Sequence, residues 1–162
     1  MKMKKYILDS NIVSYLYDPK SPFCQAVQKK VETVSDRDEI TTSILTVYEH
    51  RYGIAKADNL DDADLVAKVI RTYDMMIDSF SLIPLSVKAA EEFGKLKNEY
   101  RKKIEQTGIK KKELKNKLRG DTVDLILAAS AIAEGAILVS NDKIFEEIRE
   151  MRPNFLMEDW TK

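Results

Sequence analysis

The sequence predicts an α/β fold in which a small, mainly parallel β-sheet is flanked by helices. Short apolar or β-branched runs alternate with longer segments of helical periodicity, and this alternation requires crossover connections that make neighbouring strands parallel. The composition is that of a globular chain, with 44% apolar and 33% charged residues. Five glycines and four prolines in 162 residues are too few for an all-β chain rich in tight turns. No repeat or linker interrupts the pattern, so we expect a single domain over residues 1–162.

Four short runs have the composition of strands, being apolar or β-branched and bounded by turn or helix-start signals. The first run follows the basic N-terminus and suits a buried strand. The last run is apolar throughout before its final serine. The predicted strands are residues 5–8, 40–45, 80–85 and 136–140.

Most of the predicted helices begin at a residue that commonly caps a helix N-terminus. The expected starts are Asn11, Ser21 followed by Pro22, Thr46 paired with Glu49 in a T-x-x-E capping box, Ser86 and Asp121. Gly108 and Gly135 are the expected helix stops after the last two of these starts. Apolar periodicity alone indicates a helix over residues 59–77 and another after Asp142.

The charge is balanced overall but unevenly distributed. The chain has 27 basic and 27 acidic residues, yet residues 95–119 hold 11 basic and three acidic ones. A basic segment on an acidic body favours binding to a polyanion. The alternative is that this segment is only a solvated, lysine-rich helix.

Several classes of protein are excluded by what the sequence lacks. One cysteine, Cys24, and one histidine, His50, allow neither an internal disulfide nor a cysteine-rich zinc site. A Ser-His-Asp triad would have to use His50, and the sequence has no nucleophile-elbow, Walker or G-x-G-x-x-G motif. The apolar run behind the basic start is too short for a signal peptide, and no segment approaches a membrane span. We therefore expect a cytoplasmic protein with no membrane association.

Acidic residues follow three predicted strands and open one predicted helix. Asp9 comes directly after the first strand, Glu49 shortly after the second, Asp142 after the last, and Asp124 lies in the first turn of the helix from Asp121. Ligand sites in open α/β sheets lie outside the carboxyl ends of the strands, so these four acids could converge. Clustered carboxylates repel one another unless a cation neutralises them, and their hard oxygens suit Mg²⁺ or Mn²⁺.

Three of these acids also have a simple structural explanation. Glu49 would close a capping box, Asp142 would cap the following helix, and Asp124 would interact favourably with a helix dipole. Asp9 has no such explanation in the sequence. Asp121 has the side chain of an ordinary N-cap, so Asp124 is the better candidate metal ligand of the two acids at that helix start.

Four segments, taken in order, resemble the PIN-domain ribonucleases, and most closely the VapC-type toxins of toxin–antitoxin pairs. Residues 157–160 (MEDW) are also similar to that family's usual ending. The matching segments are residues 6–11 (YILDSN), 46–53 (TVYEHRYG), 124–131 (DLILAASA) and 137–142 (ILVSND).

The resemblance implies a PIN-like three-layer sandwich and cleavage of RNA that depends on Mg²⁺ or Mn²⁺. Asp9 and Asp124 would be the principal metal ligands, with Glu49 and Asp142 binding directly or through water. The implied partners are an RNA substrate and an antitoxin protein, and a homodimer stays open. The residues expected to support the four acids from around the site are Ser10, Asn11, Ser140, Asn141 and Asp121. The residues expected to contact RNA phosphates are Lys110, Lys111 and Lys112.

Three other functions remain open on the sequence. The chain could be a PIN-domain nuclease of RNA processing rather than a toxin, or a non-catalytic RNA- or protein-binding module that keeps the fold. A phosphatase-like or phosphoacceptor domain would use Asp9 as nucleophile. That last reading is weakened because Asn11, and not a second aspartate, stands two residues later.

Overall fold

Five strands and eight helices alternate along residues 2–162, the part of the chain that the computed structural model describes. The strands are β1 (Lys5–Leu8), β2 (Glu39–Ser43), β3 (Ser81–Ile83), β4 (Ile137–Val139) and β5 (Leu156–Glu158). The helices are α1 (Ser10–Tyr17), α2 (Cys24–Thr33), α3 (Ile44–Asp58), α4 (Ala63–Ser79), α5 (Val87–Glu105), α6 (Lys111–Gly120), α7 (Thr122–Glu134) and α8 (Lys143–Met151). None of these helices is both long and apolar enough to cross a bilayer.

All five strands form one parallel sheet in the order β3-β2-β1-β4-β5, which confirms the predicted fold class. The chain starts in the centre at β1, moves outward through β2 and β3, and then returns to the other side of β1 for β4 and β5. The strand order therefore reverses between β1 and β4. Such a reversal opens a crevice at the carboxyl ends of the two strands, where open α/β sheets bind their ligands.

Helices cover both faces of the sheet, because successive strand side chains point to opposite sides. Ile7 of β1 and Leu138 of β4 are buried in a cluster with apolar residues of α5, α6, α7 and α8. Leu8 and Val139, the next residues along, are buried in a second cluster with residues of α1, α2 and α4 and with Trp160. The result is the three-layer arrangement of helices, sheet and helices that was expected.

The start of α3 differs from the prediction. Ser43 ends β2 and is itself the N-cap, since its hydroxyl accepts a hydrogen bond from the backbone N–H of Leu45 at 3.1 Å. Thr46 is buried inside the helix, and Glu49 lies in its second turn, so the predicted capping box is wrong. Strand β2 consequently ends at Ser43 rather than at residue 45. The helix starts as soon as a serine offers a cap, one turn before the T-x-x-E pattern.

The start of α7 also differs, because Asp121 does not cap it with its side chain. The Asp121 carboxylate instead accepts a hydrogen bond from the Tyr100 hydroxyl at 2.7 Å and lies 3.2 Å from the Lys117 ammonium group. The Asp121 carboxylate therefore binds a tyrosine hydroxyl of α5 and a lysine ammonium group of α6 instead of the backbone N–H groups at the start of α7. Tyr100 is distant along the chain and is not evident from the residues around Asp121, whereas Lys117 lies four residues before it, at the spacing of a local helical ion pair.

The remaining differences concern element ends. Helix α2 begins at Cys24, beyond Pro22, and α4 begins at Ala63 with Asp62 as its N-cap. Strand β5 was not predicted, because Leu156–Glu158 is too short to show alternation. The Ser86 cap of α5 and the left-handed Gly135 at the end of α7 are confirmed.

Candidate active site

Asp9 lies where β1 ends and α1 begins, next to the crevice between β1 and β4. Its backbone N–H donates to the Val139 carbonyl at 3.1 Å, which ties it to the end of β4. One carboxylate oxygen accepts from the Ile12 N–H at 2.9 Å and so caps α1, and the other accepts from the Ser140 hydroxyl. Asp9 therefore does have a capping role, which the sequence did not show. The same hydrogen bonds hold this buried carboxylate at the switch point of the sheet.

All four acids singled out in the sequence line one cavity of about 240 Å³. Asp9 reaches it from the end of β1, Glu49 from α3, Asp124 from the first turn of α7, and Asp142 from the turn after β4. These residues are far apart along the chain, and the parallel sheet brings their segments to the same edge. The other residues that line the cavity are Ser10, Asn11, Leu45, Thr46, Val123 and Leu127.

Polar side chains around the cavity fix the orientation of two of the acids. The Ser140 hydroxyl donates to Asp9 and accepts from the backbone N–H of Asp142 at 3.1 Å. The Asn11 amide group donates to the Asp142 carboxylate at 3.5 Å. Ser140 and Asn11 thus link the ends of β1 and β4 through side chains. Ser10 is in the cavity wall, whereas Asn141 and Asp121 are not part of its lining.

The cavity is electrostatically unfavourable for its own carboxylates. Burial raises the pKa of Asp9 to about 7. The hydrogen bonds from Ser140 and Ile12 lower this pKa, and the charges of Asp142 and Glu49 raise it by smaller amounts. Burial, followed by the charges of Asp142, Asp121 and Glu49, raises the pKa of Asp124 to about 6. Among residues 2–162, no lysine, arginine or histidine lines the cavity. A perturbed pair of acids in a cleft is a common property of functional sites.

The donor set fits a hard divalent cation in its chemistry. Carboxylate, hydroxyl and amide oxygens are the ligands that Mg²⁺ and Mn²⁺ prefer. Within residues 2–162, no group of three acidic, histidine or cysteine side chains is close enough to coordinate one metal ion in this conformation. Mutual repulsion favours such an open arrangement of carboxylates. Glu49 is solvent-exposed, so its side chain can turn into the cavity without disturbing the core.

Four residues of the cavity wall were missed in the sequence: Leu45, Thr46, Val123 and Leu127. Residues three apart on a helix lie on the same face, and this spacing relates Thr46 to Glu49 and Asp124 to Leu127. The sequence contains this spacing, but its T-x-x-E pattern predicts a helix cap for Thr46. His50 does not line the cavity, and burial lowers the pKa of its imidazole.

Residues 6–151 match the family model of the PIN domain, so the chain belongs to the PIN-domain family. The chain is 28% identical over 158 residues to Ribonuclease VapC2 of Rickettsia felis, a match that covers 97% of this chain and 98% of the relative.

Two solved structures share the fold. A crystal structure of VapBC2 from Rickettsia felis, bound to a DNA fragment from its promoter, matches 96% of this chain and 98% of its own with 25% identity and a TM-score of 0.67. A structure of VapBC-1 from nontypeable Haemophilus influenzae matches 98% of this chain and 99% of its own with 19% identity and a TM-score of 0.64.

Proposed function

We propose that this protein is an endoribonuclease that requires Mg²⁺ or Mn²⁺ and serves as the toxin of a toxin–antitoxin pair. The observation that carries the proposal is the convergence of four carboxylates, from four distant segments, on one cavity. Among residues 2–162, no basic side chain lines this cavity. Membership of the PIN-domain family and similarity to a VapC ribonuclease support it. In this proposal residues 1–162 form one such domain.

Asp9 and Asp124 would be the principal metal ligands, and Glu49 and Asp142 would bind directly or through water. A bound divalent ion would neutralise the acids, lower the pKa of water and stabilise charge on the phosphate during hydrolysis. Ser140 keeps Asp9 aimed at the crevice, and Asn11 does the same for Asp142. The acids also repel RNA phosphates in the absence of a metal, so cleavage would depend strictly on the ion.

The proposed protein partner is an antitoxin. The solved structure of VapBC2 from Rickettsia felis, which matches 96% of this chain, supports a partner of this type. An antitoxin would mask the cavity by placing a basic side chain among the acids. We place the pair in the cytoplasm, in keeping with a single, buried and free cysteine, Cys24.

Two measurements on the wild-type chain test this function. Mn²⁺ is titrated into the EDTA-treated protein by calorimetry, and RNA cleavage is followed with Mn²⁺, with Mg²⁺ and with EDTA. We expect metal binding and cleavage that EDTA abolishes. A folded protein that neither binds Mn²⁺ nor cuts RNA would instead be a non-catalytic binding module.

The toxin role needs a separate test, because a PIN-domain nuclease of RNA processing would pass the first one. The chain is expressed alone and together with any short reading frame that neighbours its gene. Growth arrest that the neighbour relieves, together with co-purification of the two proteins, is the expected result. Harmless expression of an active nuclease would contradict the toxin role.

A further inference from the structure

A second cavity, of about 570 Å³, lies between α5 and α6. Leu114 and Leu118 form its apolar part, and every polar side chain that lines it is a cation. We call this cavity the α5–α6 groove. Its lining residues are Arg101, Lys111, Lys112, Leu114, Lys115 and Leu118.

The lysines of the α5–α6 groove are not neutralised by the chain. Lys111, Lys112 and Lys115 are exposed and form no ion pair within residues 2–162, whereas Arg101 pairs with Glu105 at 3.0 Å. A positive rim around an aliphatic surface matches a ligand that joins negative charge to a flat apolar group. A nucleotide has this combination, because its phosphate can bind the basic side chains and its base or ribose can pack against Leu114 and Leu118.

Further cations lie between the groove and the acids. Helix α6 ends at Gly120, one residue before Asp121, and α7 with Asp124 starts at Thr122. The Lys117 ammonium group is 3.2 Å from the Asp121 carboxylate, and the Lys97 ammonium group donates to the Thr122 hydroxyl at 3.3 Å. Both cations are therefore fixed at the N-terminus of α7. Lys117 is paired with Asp121, whereas Lys97, one turn before Arg101 on α5, forms no ion pair within residues 2–162 and brings positive charge to the start of α7.

We propose that the α5–α6 groove is a second RNA subsite, which holds a nucleotide of the substrate away from the bond that is cut. The inference rests on the proposed ribonuclease function and extends it to the length of the substrate. An acidic protein segment would offer similar chemistry to the groove. Lys97 favours RNA, because it carries the positive surface from Arg101 of the groove to the first turn of α7, where Asp124 lies. Lys110, which precedes α6, is not part of the groove lining.

The test compares a charge-reversal variant with a matched control. The groove variant carries Lys111→Glu, Lys112→Glu and Lys115→Glu. The control carries Lys29→Glu, Lys30→Glu and Lys56→Glu, three exposed lysines of α2 and α3 without ion pairs in the described chain. Both have the same net charge, and circular dichroism and thermal melting check that both fold.

Binding of a fluorescein-labelled 12-nucleotide RNA is measured in EDTA by anisotropy between about 50 and 200 mM KCl, a range over which phosphate contacts make affinity fall measurably with salt. The slope of log affinity against log salt should become shallower by about 2 in the groove variant, since each lost phosphate contact on a single strand removes about 0.7. In Mn²⁺, the groove variant should have a raised KM and an unchanged kcat for the 12-mer. Single-turnover cleavage of a trinucleotide should be unchanged.

Three outcomes would overturn the groove subsite while the wild type still cuts RNA. The groove variant and the control could show the same salt slope, or trinucleotide cleavage could fall as much as 12-mer cleavage. The groove variant could also keep its RNA affinity and lose binding to a labelled glutamate- and leucine-containing peptide, which would assign the groove to a protein. A wild-type chain that neither binds nor cuts RNA would overturn the proposed function itself.

Discussion

Two clusters of acidic side chains in this protein differ in whether a basic side chain of the chain lies among them. In the first, the Arg152 guanidinium lies 2.6 Å from the Glu92 carboxylate and 3.3 Å from that of Glu99, which links α5 to the end of α8. In the second, the cavity at the end of β1 and β4, Asp9 and Asp124 have no basic residue beside them in the lining. The first cluster thus contains a basic partner for its acids, whereas the lining of the second, among residues 2–162, contains none.

Under the proposed function, this difference separates a structural use of carboxylates from a functional one. Arg152 converts two acids into a cross-link between helices. In the cavity, burial and mutual repulsion raise the pKa values of Asp9 and Asp124, and the hydrogen bonds that Asp9 accepts from Ser140 and Ile12 offset only part of its rise. Natural chains retain such unfavourable arrangements mainly at sites of binding or catalysis. Four variants or conditions test whether the two clusters differ in this way.

The largest expected effect is that of Asp9→Asn on RNA cleavage. Asparagine keeps an oxygen for the Ile12 N–H and can donate to the Ser140 hydroxyl, but it lacks the charge that would hold the metal. The rate should fall on the order of 10³-fold, with the fold intact by circular dichroism. Glu92→Gln, in the other cluster, is the control and should cut at the wild-type rate. A well-folded Asp9→Asn variant with near-normal cleavage would refute the metal role of Asp9.

The next effect separates Asp124 from Asp121, one helical turn away. Asp124→Asn should weaken Mn²⁺ binding by about 10- to 100-fold or more, measured by calorimetry. Asp121→Asn should stay within a few fold of wild type, because Asp121 is engaged by Tyr100 and Lys117 and does not line the cavity. The opposite order of affinities would show that the two aspartates have been assigned the wrong roles.

Arg152→Leu should lower the free energy of unfolding by about 1–3 kcal/mol in urea denaturation, because it leaves two partly buried carboxylates without their cation. The matched control is Lys103→Gln, which breaks the 3.4 Å ion pair with the exposed Glu150. That change should stay within about 0.5 kcal/mol. Cleavage of RNA should be normal in both variants. Equal stability of the two variants would mean that the Arg152 cluster is no more important than a surface ion pair.

The smallest effect is the pH dependence of the metal-free protein. The carboxyls of Asp9 and Asp124 have raised pKa values of about 7 and about 6 in the folded chain, against a usual value of 3.8. The folded state therefore holds more protons than the unfolded state, and stability falls as the pH rises from about 4 through about 7.

Thermal midpoints in EDTA at pH 5 and pH 8 measure this effect. The wild type should lose a few degrees more between these pH values than a double variant with Asp9→Asn and Asp124→Asn. Mn²⁺ at pH 8 should raise the thermal midpoint of the wild type back towards its pH 5 value and leave the midpoint of the double variant unchanged. A wild type and double variant with parallel pH profiles would contradict the raised pKa values.

The parts of the site that the sequence predicted are those carried by local patterns. Asp9 could be placed at a strand end because Tyr6, Ile7 and Leu8 form an apolar run directly before it. Asp124 could be placed in a first helical turn because an alanine-rich helix follows. Parallel strands end at the same edge, so the convergence of the acids followed from the alternation of strands and helices.

The sequence by itself thus determined the α/β class, the parallel sheet and the segments that carry the four acids, because periodicity and composition act over neighbouring residues. Only the tertiary structure decided which distant side chains each acid meets. Asp121 meets Tyr100 of α5, Glu92 and Glu99 meet Arg152, and Asp9 meets Ser140 across the switch point. It also decided that three lysines of α6 surround a groove with Leu114 and Leu118. Burial and charge compensation depend on residues that are distant along the chain, and no local pattern records them.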